Sequence, residues 1–412
     1  MTNRALFAVM AAAVACPQAG CQQSDAELPQ SRASVPYVVV DTGQVKCYSD
    51  RGQIQAPGPG EAFFGQDTQY DGPAPSYRDN GNGTVTDLNT GLMWQQDPGQ
   101  KVSFAQAKAG ADKCRLAGHR DWRLPSIKEL YSLIDFSGST RRSATTSVPY
   151  IDTDHFVFQY GGLTGERHID SQYCSSTEYV HTTMRGNPTV FGVNFADGRI
   201  KGYPSSTVGP GRGRLKLFYC LYVRGNPKYG RNDFVDNGDG TICDRATGLM
   251  WMQKDSGGLQ AGPRRDGKLN WREALAWAEG LEHAGHSDWR IPNVKELQSI
   301  VDYTRSPETT KSPAIDPLFE STLLDNGAGV MFWGFYWSGT THLDGPPHTS
   351  QACYVAFGKG WGCMWGQWLD VHGAGCQRSD PKAGDPRDYP QGRGPQGDSV
   401  RIYNLARCVR DA

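Results

Sequence analysis

Several patterns that mark particular classes of protein are missing from this sequence of 412 residues. Beyond residue 16, no apolar run approaches the roughly 20 residues that a membrane-spanning helix requires. The chain has no G-x-S-x-G, H-E-x-x-H or Walker pattern, the signatures of many hydrolases, zinc proteases and nucleotide-binding proteins. It also has no C-x-x-C pair, so a zinc cluster is disfavoured. These absences favour binding over catalysis.

The chain also lacks a surplus of charge of either sign. It carries 42 Lys and Arg residues against 43 Asp and Glu residues. This balance argues against a nucleic-acid partner, which would require a strongly basic surface. The nine histidines are scattered, and the local groups are Asp370 with His372 and His342 with His348. Because neither group has a third ligand at a fixed spacing, we predict no metal ligand and no cofactor.

The N-terminus has the pattern of an export signal. Arg4 precedes an uninterrupted apolar run over residues 5–15 that ends in small residues, and Cys16 follows. We predict a signal peptide over residues 1–15 and an exported protein of the cell envelope. Residues 16–46 are rich in Gln, Ser and Pro, which is typical of a flexible tether.

Cys16 is the favoured site for a lipid anchor to the outer or inner membrane. The residues before Cys16 are small and apolar, as a lipoprotein peptidase prefers, whereas Gln18 makes the approach to Cys21 unfavourable. Ordinary cleavage after Ala15 is the alternative and would release a free periplasmic protein.

Ten cysteines remain if Cys16 carries lipid. In an oxidising periplasm we expect some of them to form disulfides, with a connectivity that the sequence does not define. They are Cys21, Cys47, Cys114, Cys174, Cys220, Cys243, Cys353, Cys363, Cys376 and Cys408.

The chain contains an internal repeat. Residues 79–84 (DNGNGT) recur as residues 236–241 (DNGDGT), and T-G-L-M-W follows each within a few residues. The order continues with A-G-H, D-W-R-L/I-P-x-x-K-E-L, I-D, Y-x-S and V-R in both halves. So many collinear matches indicate a duplication. We therefore predict one domain over residues 47–226 and a second over residues 227–412, joined by a short turn-forming linker at residues 225–230.

Each copy predicts a mixture of short strands and helices. The Asn-Gly and Asp-Gly pairs predict tight hairpins, a better explanation than a calcium loop because glycines would occupy ligand positions. Ser126 with Glu129 and Asn293 with Glu296 are capping pairs, and earlier helices are expected after Ser103 and Asn270. The fold class is α+β, with short twisted sheets and two helices in each domain.

The D-W-R segments at residues 121–123 and 288–290 invite a catalytic interpretation, but a structural role is favoured. A Trp after a turn and a Pro at the start of a helix suit a packing element. We expect each Arg to pair with a carboxylate such as Asp135 or Asp302.

These motifs together resemble the C-terminal domain family of collagen-like Lcl adhesins, long catalogued as a domain of unknown function. The resemblance covers both copies and nearly all of residues 47–412. That family is in turn distantly similar to the C-type-lectin-like fold, which formylglycine-generating enzymes share. The resemblance thus implies two tandem C-type-lectin-like domains and, from Lcl itself, binding of host or matrix glycans.

The two copies differ in ways that favour a ligand site in the second. Copy two gains about ten residues before Asn270 and a long Gly/Pro/charged stretch over residues 370–396, which we expect to be a functional or disordered loop. It also has tryptophans without counterparts in copy one. Indole faces stack on sugars, so we predict binding of a glycan or of another envelope or host-surface component, without catalysis, while copy one acts as a spacer or docking domain. The predicted contact residues are Trp333, Trp361, Trp365, Trp368, Asp370 and His372.

An enzyme, or a redox or metal protein, is the alternative. The enzymatic relatives of the fold use a close pair of reactive cysteines, and copy two has Cys353, Cys363 and Cys376 near one another in sequence. By our alignment copy one has Phe191 and Lys201 in place of Cys353 and Cys363, which agrees with a structural bridge gained in copy two.

Overall fold

A computed structural model describes Met1 and residues 35–163, 165–208, 213–325, 329 and 331–412. The predicted signal peptide and both candidate lipidation sites, Cys16 and Cys21, lie outside these residues apart from Met1. Residues 35–412 form one compact unit. Within the described ranges, no helix is long and apolar enough to cross a membrane.

The described residues are mostly β-structure with four short α-helices, in agreement with the predicted α+β class. The strands of the first half are β1 (Cys47–Tyr48), β2 (Gln53–Ile54), β3 (Tyr77–Asp79), β4 (Thr84–Asp87), β5 (Leu92–Gln95), β6 (Val102–Ser103), β7 (Gln172–Thr183), β8 (Asn187–Asn194), β9 (Arg199–Pro204), β10 (Thr207–Val208), β11 (Arg214–Leu215), β12 (Leu217–Phe218) and β13 (Val223–Gly225). Those of the second half are β14 (Phe234–Asp236), β15 (Thr241–Asp244), β16 (Leu249–Met252), β17 (Leu323–Asp325), β18 (Met331–Trp333), β19 (Phe335–His342), β20 (Gln351–Ala356), β21 (Trp361–Met364), β22 (Gln367–Asp370), β23 (Gln377–Pro381) and β24 (Val409–Asp411). The helices are α1 (Phe104–Lys113), α2 (Ile127–Ser132), α3 (Trp271–Glu279) and α4 (Val294–Ser299), with single 3-10 turns at Asp67–Gln69, Leu116–Gly118 and Pro386–Asp388.

The predicted helix starts are confirmed. The Ser126 hydroxyl accepts from the Glu129 backbone N–H at 3.2 Å, and the Glu129 carboxylate accepts from the Ser126 N–H at 2.7 Å. Asn293 and Glu296 form the same reciprocal pair. These caps satisfy backbone donors that the first helical turn leaves unpaired, which is why so short a helix begins at a defined residue.

The repeated hairpins are confirmed as well. Gly81 and Gly238 both have positive φ, and each donates its N–H to the aspartate two residues earlier at 2.8 Å. The hairpins belong to two small sheets with corresponding strands, β13-β5-β4-β3 and β14-β15-β16-β24. The V-R segments close both sheets, since Val223 lies opposite Trp94 and Val409 opposite Trp251.

The two copies contribute equally to one six-stranded sheet with the order β19-β20-β23-β9-β8-β7. Three strands come from each copy, and β9 pairs antiparallel with β23 where the copies meet, with Gln377 opposite Ile200. Every residue of β9 and β23 is buried. The copies are therefore joined through the centre of a continuous sheet, and the exact domain boundaries remain a prediction.

The stretch over residues 370–396 corrects our expectation of a long loop, because it contains the central strand β23. We did not predict this strand because the segment contains charged residues, whereas a buried strand is normally apolar. In the fold, Asp380 accepts from the Asn404 amide at 3.1 Å, and Arg378 forms an ion pair with Asp398.

The strand pairing also corrects our alignment of the copies. Arg378 lies opposite Tyr354 as Lys201 lies opposite Gly192, so Lys201 corresponds to Arg378 and not to Cys363. Cys363 belongs to the β21–β22 hairpin, an insertion between β20 and β23.

The lysines of the two K-E-L motifs hold the copies together reciprocally. Lys128 donates its Nζ to the Ser299 carbonyl at the end of α4 at 2.6 Å. Lys295 donates to the Ser132 carbonyl at the end of α2 at 3.0 Å. Each ammonium satisfies a carbonyl that a helix C-terminus leaves unpaired, and its charge suits the helix dipole there.

Residues 35–73, here called the N-terminal arm, pack against this body. Tyr37 is only 3% exposed, so residues 35–46, which we assigned to the tether, belong to the folded unit. Asp67 is buried, and its Oδ2 accepts from the hydroxyls of Thr42 at 2.7 Å and Thr340 at 2.6 Å. The arm is thus fixed to copy two by a buried carboxyl group.

Asp67 is expected to make the attachment of the arm pH-dependent. Burial, with the nearby Asp41 carboxylate, raises the pKa of Asp67 to about 7. A carboxyl group whose folded pKa is raised contributes stability below its unfolded pKa and loses it as the pH rises through the folded value. The free energy of unfolding of the wild type minus that of the Asp67→Asn variant should therefore decrease as the pH rises from about 4 to about 7. Urea titrations of both proteins across this range measure the difference, and a constant difference would contradict the assignment.

Candidate functional site

A cavity of about 650 Å³ opens on the second half of the molecule. Two segments that copy one lacks meet there: the insertion before α3 and the β21–β22 hairpin. The β17–β18 hairpin and the segment over residues 399–403 complete the walls. The lining residues are Arg264, Asp266, Lys268, Leu324, Asp325, Phe332, Trp361, Trp368, Pro386, Ser399, Val400, Arg401 and Tyr403.

Trp361 and Trp368 form the aromatic side of the cavity. They stand on the two strands of the β21–β22 hairpin, where Trp368 pairs with Cys363 and Trp361 with Asp370. Trp368 is 45% exposed, which is unusual for so large an apolar side chain. The Nε1 of Trp361 is buried and has no hydrogen-bond partner within the described ranges. The exposed ring of Trp368 is therefore available to a ligand, whereas Trp361 is only partly exposed and its unpaired N–H is buried.

Two arginines stacked on aromatic rings form another part of the lining. The Arg401 guanidinium lies 4.3 Å from the centre of the Phe332 ring and 4.6 Å from that of Phe335. Arg264 lies 4.2 Å from the centre of the Tyr403 ring and also binds Glu273 at 2.8 Å. Such planar groups over aromatic rings give a rigid wall that presents hydrogen-bond donors.

Two cations on these walls interact with carboxylates of the protein. Burial lowers the pKa of Arg401 from its usual value, and Asp380 partly offsets this. Lys268 lies 3.3 Å from Asp266, so that cation is compensated within the wall. Aromatic faces with fixed donors and acceptors suit the recognition of a polar ring compound.

Family comparison fits the repeated architecture. The Lcl C-terminal domain family matches residues 83–212 and again residues 240–365, which together make up more than half of the chain. The protein belongs to the Lcl C-terminal domain family. The tandem matches confirm both the resemblance to the Lcl C-terminal domain family and the duplication. No curated protein and no solved structure matches the chain.

The match to the second Lcl domain ends at residue 365, within the β21–β22 hairpin. Trp361 lies inside the matched segment, whereas Trp368 and Arg401 lie after it. The cavity is therefore built partly from family sequence and partly from segments that follow the match.

Two other predicted contact residues stand outside the cavity walls. Trp365 occupies the turn of the β21–β22 hairpin with a positive φ and is 59% exposed, and the Arg185 guanidinium lies 4.9 Å from the centre of its ring. Trp333 ends β18, where it pairs with Leu323. Neither is among the lining residues, so the structure brings together only Trp361 and Trp368 of the four predicted tryptophans.

Asp370 and His372 support the β21–β22 hairpin through contacts within the protein. Asp370 accepts from the Tyr179 hydroxyl at 2.8 Å and from the backbone N–H of Gly373 at 2.9 Å, and burial raises its pKa to about 6. His372 is only 1% exposed, with its Nε2 at 2.6 Å from Asp398. Both Asp370 oxygens are thus engaged within the protein, as is the Nε2 of His372, whereas the buried Nδ1 of His372 has no hydrogen-bond partner in the described residues. In this conformation both residues anchor the cavity wall.

Most of the cavity lining was not predicted from the sequence. The insertion that carries Arg264 and Lys268 was recognised, but no role was predicted for it. Phe332, Arg401 and Tyr403 gave no signal, because each reaches the cavity from a segment far away in sequence.

The cysteines of the second Lcl domain do not form a reactive pair. Cys353 and Cys376 are fully buried in separate hydrophobic clusters, and burial raises the pKa of Cys376 to about 12. A thiol of this kind stays protonated and is a poor nucleophile. In the described part of the chain all nine cysteines are free thiols, so our expectation of disulfides is not met there. No group of His, Cys, Asp and Glu in those ranges is arranged to hold a metal ion.

The D-W-R segments have the structural role that we predicted but different partners. Arg290 forms a bidentate pair with Glu296 at 2.6 and 2.7 Å, and Arg123 pairs with Glu129. Our suggested partners, Asp135 and Asp302, were wrong. The glutamate of the K-E-L motif lies on the first turn of the following helix, close enough to cap the helix and bind the arginine together.

Proposed function

We propose that the protein is an exported envelope protein that binds a glycan, or another envelope or host-surface component, in the cavity of its second Lcl domain. It performs no catalysis, and the first Lcl domain serves as a spacer or docking domain. The further assignment of both domains to the C-type-lectin-like fold, which the family resemblance implies, is part of the same proposal.

One observation carries this proposal: two segments that the first domain lacks converge on one cavity. The insertion before α3 supplies Arg264 and Lys268, and the β21–β22 hairpin supplies Trp361 and Trp368. Duplication starts from equal scaffolds, so segments added to one copy that meet at one place favour a function there. The volume of about 650 Å³ lies in the range of roughly 300–1,000 Å³ that small-molecule sites occupy.

The chemistry of the walls favours a sugar. A pyranose presents C–H faces that stack on indoles and hydroxyls that need donors and acceptors. Trp361 and Trp368 offer the first, and Arg264, Lys268 and Asp266 offer the second. A purely apolar ligand would remove water from these charged groups without giving them new hydrogen-bond partners, at a cost in free energy.

A glycan array probed with the purified protein tests the proposal. We expect retention on a restricted set of glycans, or on an isolated envelope fraction if the ligand is not on the array. Uniform absence of binding to glycans and to envelope and host-surface fractions would refute it.

Membrane attachment through Cys16 belongs to the proposal and is a separate prediction. The apolar run and the small residues before Cys16 support it. Mass spectrometry of the native protein should show a diacylglyceryl group on an N-terminal Cys16. A mature chain that begins at unmodified Cys16 would contradict the anchor, and lipid on Cys21 would correct the site.

The alternative is an enzyme or a redox or metal protein that uses the cysteines of the second domain. Cys363 favours it most, because it stands on the β21–β22 hairpin directly opposite Trp368 and is only partly buried. An activity that is lost when Cys363 is replaced would support this alternative over binding alone.

A further inference from the structure

Each Lcl domain carries a groove of the same construction. In the first, the groove lies between the segment around Arg123 and the part of β7 at Thr177, whose hydroxyl accepts from the Ile127 N–H at 3.0 Å. In the second, Arg290 and Thr340 take these places, and the Thr340 hydroxyl accepts from the Val294 N–H at 3.0 Å. We call these the first-domain groove and the second-domain groove.

The second-domain groove is filled by the N-terminal arm. Asp67 accepts from the Thr340 hydroxyl at 2.6 Å, and the Arg290 guanidinium lies 5.3 Å from the centre of the Tyr70 ring. Thr340 is fully buried, and the Arg290 side chain is 12% exposed. Only about 20 Å³ of space remains beside the arm.

The first-domain groove is open. It encloses about 590 Å³, and the side chain of Arg123 is 34% exposed. Ser176 is exposed there, whereas its counterpart Gly339 is buried under the arm. The Thr177 hydroxyl accepts the helix N–H as Thr340 does, yet within the described ranges its hydrogen has no acceptor. The position that Asp67 occupies in one domain is therefore empty in the other.

We propose that the first-domain groove is a docking site for a peptide segment of a protein partner, which presents a carboxylate to Thr177 and an aromatic ring to Arg123. The arm provides the template, since Asp67 and Tyr70 are three residues apart and make these two contacts in the second-domain groove. The partner segment thus has an acidic residue followed three positions later by an aromatic residue.

The charges that line the first-domain groove are compatible with an acidic partner segment. Arg231 lies exposed on the groove wall and adds to Arg123. Asp302 and Asp316 also line it, but the carboxylate of Asp302 accepts from the Thr304 N–H at 2.9 Å and that of Asp316 from the Leu318 N–H at 2.9 Å. These two carboxylates are therefore held by backbone donors. Glu129 also lines the groove and pairs with Arg123, as Glu296 pairs with Arg290 in the second-domain groove.

A synthetic fluorescent peptide of residues 61–73 of this chain is a direct probe, because the second-domain groove is already occupied. We expect saturable binding to the purified full-length protein in fluorescence polarisation. The peptide changes Asp67→Asn and Tyr70→Ala should each weaken binding by about tenfold or more, since one replaces the carboxyl group that accepts from Thr177 and the other removes a cation–π contact.

Matched protein variants locate the binding. Ser176→Glu places charge and bulk in the first-domain groove, and Ser176→Trp places bulk without charge; both should abolish binding. Ser206→Glu makes the same change at an exposed serine outside the groove and should leave binding unchanged. Thermal melting verifies that all three variants fold.

Three binding results would overturn the proposal. They are the absence of saturable binding to the wild type, equal binding by the wild type and the folded Ser176 variants, and insensitivity to both peptide changes. A concentration-dependent dimer of the wild type that Ser176→Glu dissociates would also overturn it, by assigning the groove to a second copy of this chain. None of these results depends on the cavity of the second domain.

Discussion

Replacing Trp361 and Trp368 together by alanine is expected to weaken binding to any retained glycan or envelope fraction by about 30-fold or more. An aromatic contact contributes on the order of 1 kcal/mol beyond the area that it buries, and each lost ring also removes apolar contact area. Two rings thus account for about 2 kcal/mol, which corresponds to a factor of about 30 in the dissociation constant. The affinity of the wild type and the variant for the same fraction measures this loss.

Trp365 provides the matched control. It belongs to the same hairpin but stands at its turn, outside the cavity, so Trp365→Ala should leave the affinity unchanged. Trp361 also packs against a hydrophobic cluster, so thermal melting must show that the double variant is folded. Unchanged binding by a folded double variant would remove the ligand site from this cavity.

The cysteines decide between binding and the enzyme alternative in the same assay. Replacing Cys353, Cys363 and Cys376 by alanine should leave the affinity for the retained fraction as it is. A turnover activity that disappears in this folded variant would instead support an enzyme.

Replacing Asp255 by alanine is expected to lower the free energy of unfolding by about 3–5 kcal/mol. Asp255 is fully buried and accepts from the Tyr336 hydroxyl at 2.5 Å and from the Thr322 hydroxyl and N–H at 2.6 and 2.8 Å. Alanine leaves these donors without an acceptor in a region that water does not reach, and unpaired buried polar groups are among the costliest defects in a fold. Urea unfolding of the wild type and the variant gives the difference.

The position of Asp255 links this stability to the cavity. Thr322 directly precedes β17, whose residues Leu324 and Asp325 line the cavity. Asp255→Ala should therefore also loosen the cavity wall and weaken ligand binding, whereas Asp154→Ala, at an exposed loop position, should affect neither property. A loss of less than about 1 kcal/mol would show that the hydrogen bonds to Asp255 are replaced by others.

The local elements could be predicted because their causes lie within a few residues. The Ser126–Glu129 and Asn293–Glu296 caps and the glycine turns at Gly81 and Gly238 depend only on backbone groups nearby. Aligning the chain with itself exposed the duplication for the same reason, since the repeated elements kept their local signals. The family assignment followed from those motifs and is confirmed.

The candidate site could be predicted only in part. The surplus tryptophans of copy two drew attention to the β21–β22 hairpin, and two of them line the cavity. Trp361 and Trp368 are separated from Trp365 by the alternation of side chains along the strands and by the geometry of the turn. Both can be recognised only once the hairpin register is known. Asp370 and His372 looked like contact residues because polar side chains near aromatics suit a sugar site, but their partners Tyr179 and Asp398 are distant in sequence.

By itself the sequence determined the duplication, the short capped helices, the hairpin turns and the family of this protein, because each depends on interactions over a few residues. Only the tertiary structure decided that β23 joins β9 at the centre of one sheet, that the N-terminal arm fills one groove and leaves its counterpart open, and that Arg264, Trp361 and Arg401 meet at one cavity. These features depend on contacts between residues far apart along the chain. Burial and partner choice there are set by the whole fold, so a charged segment such as residues 377–381 becomes a central strand once its partners surround it.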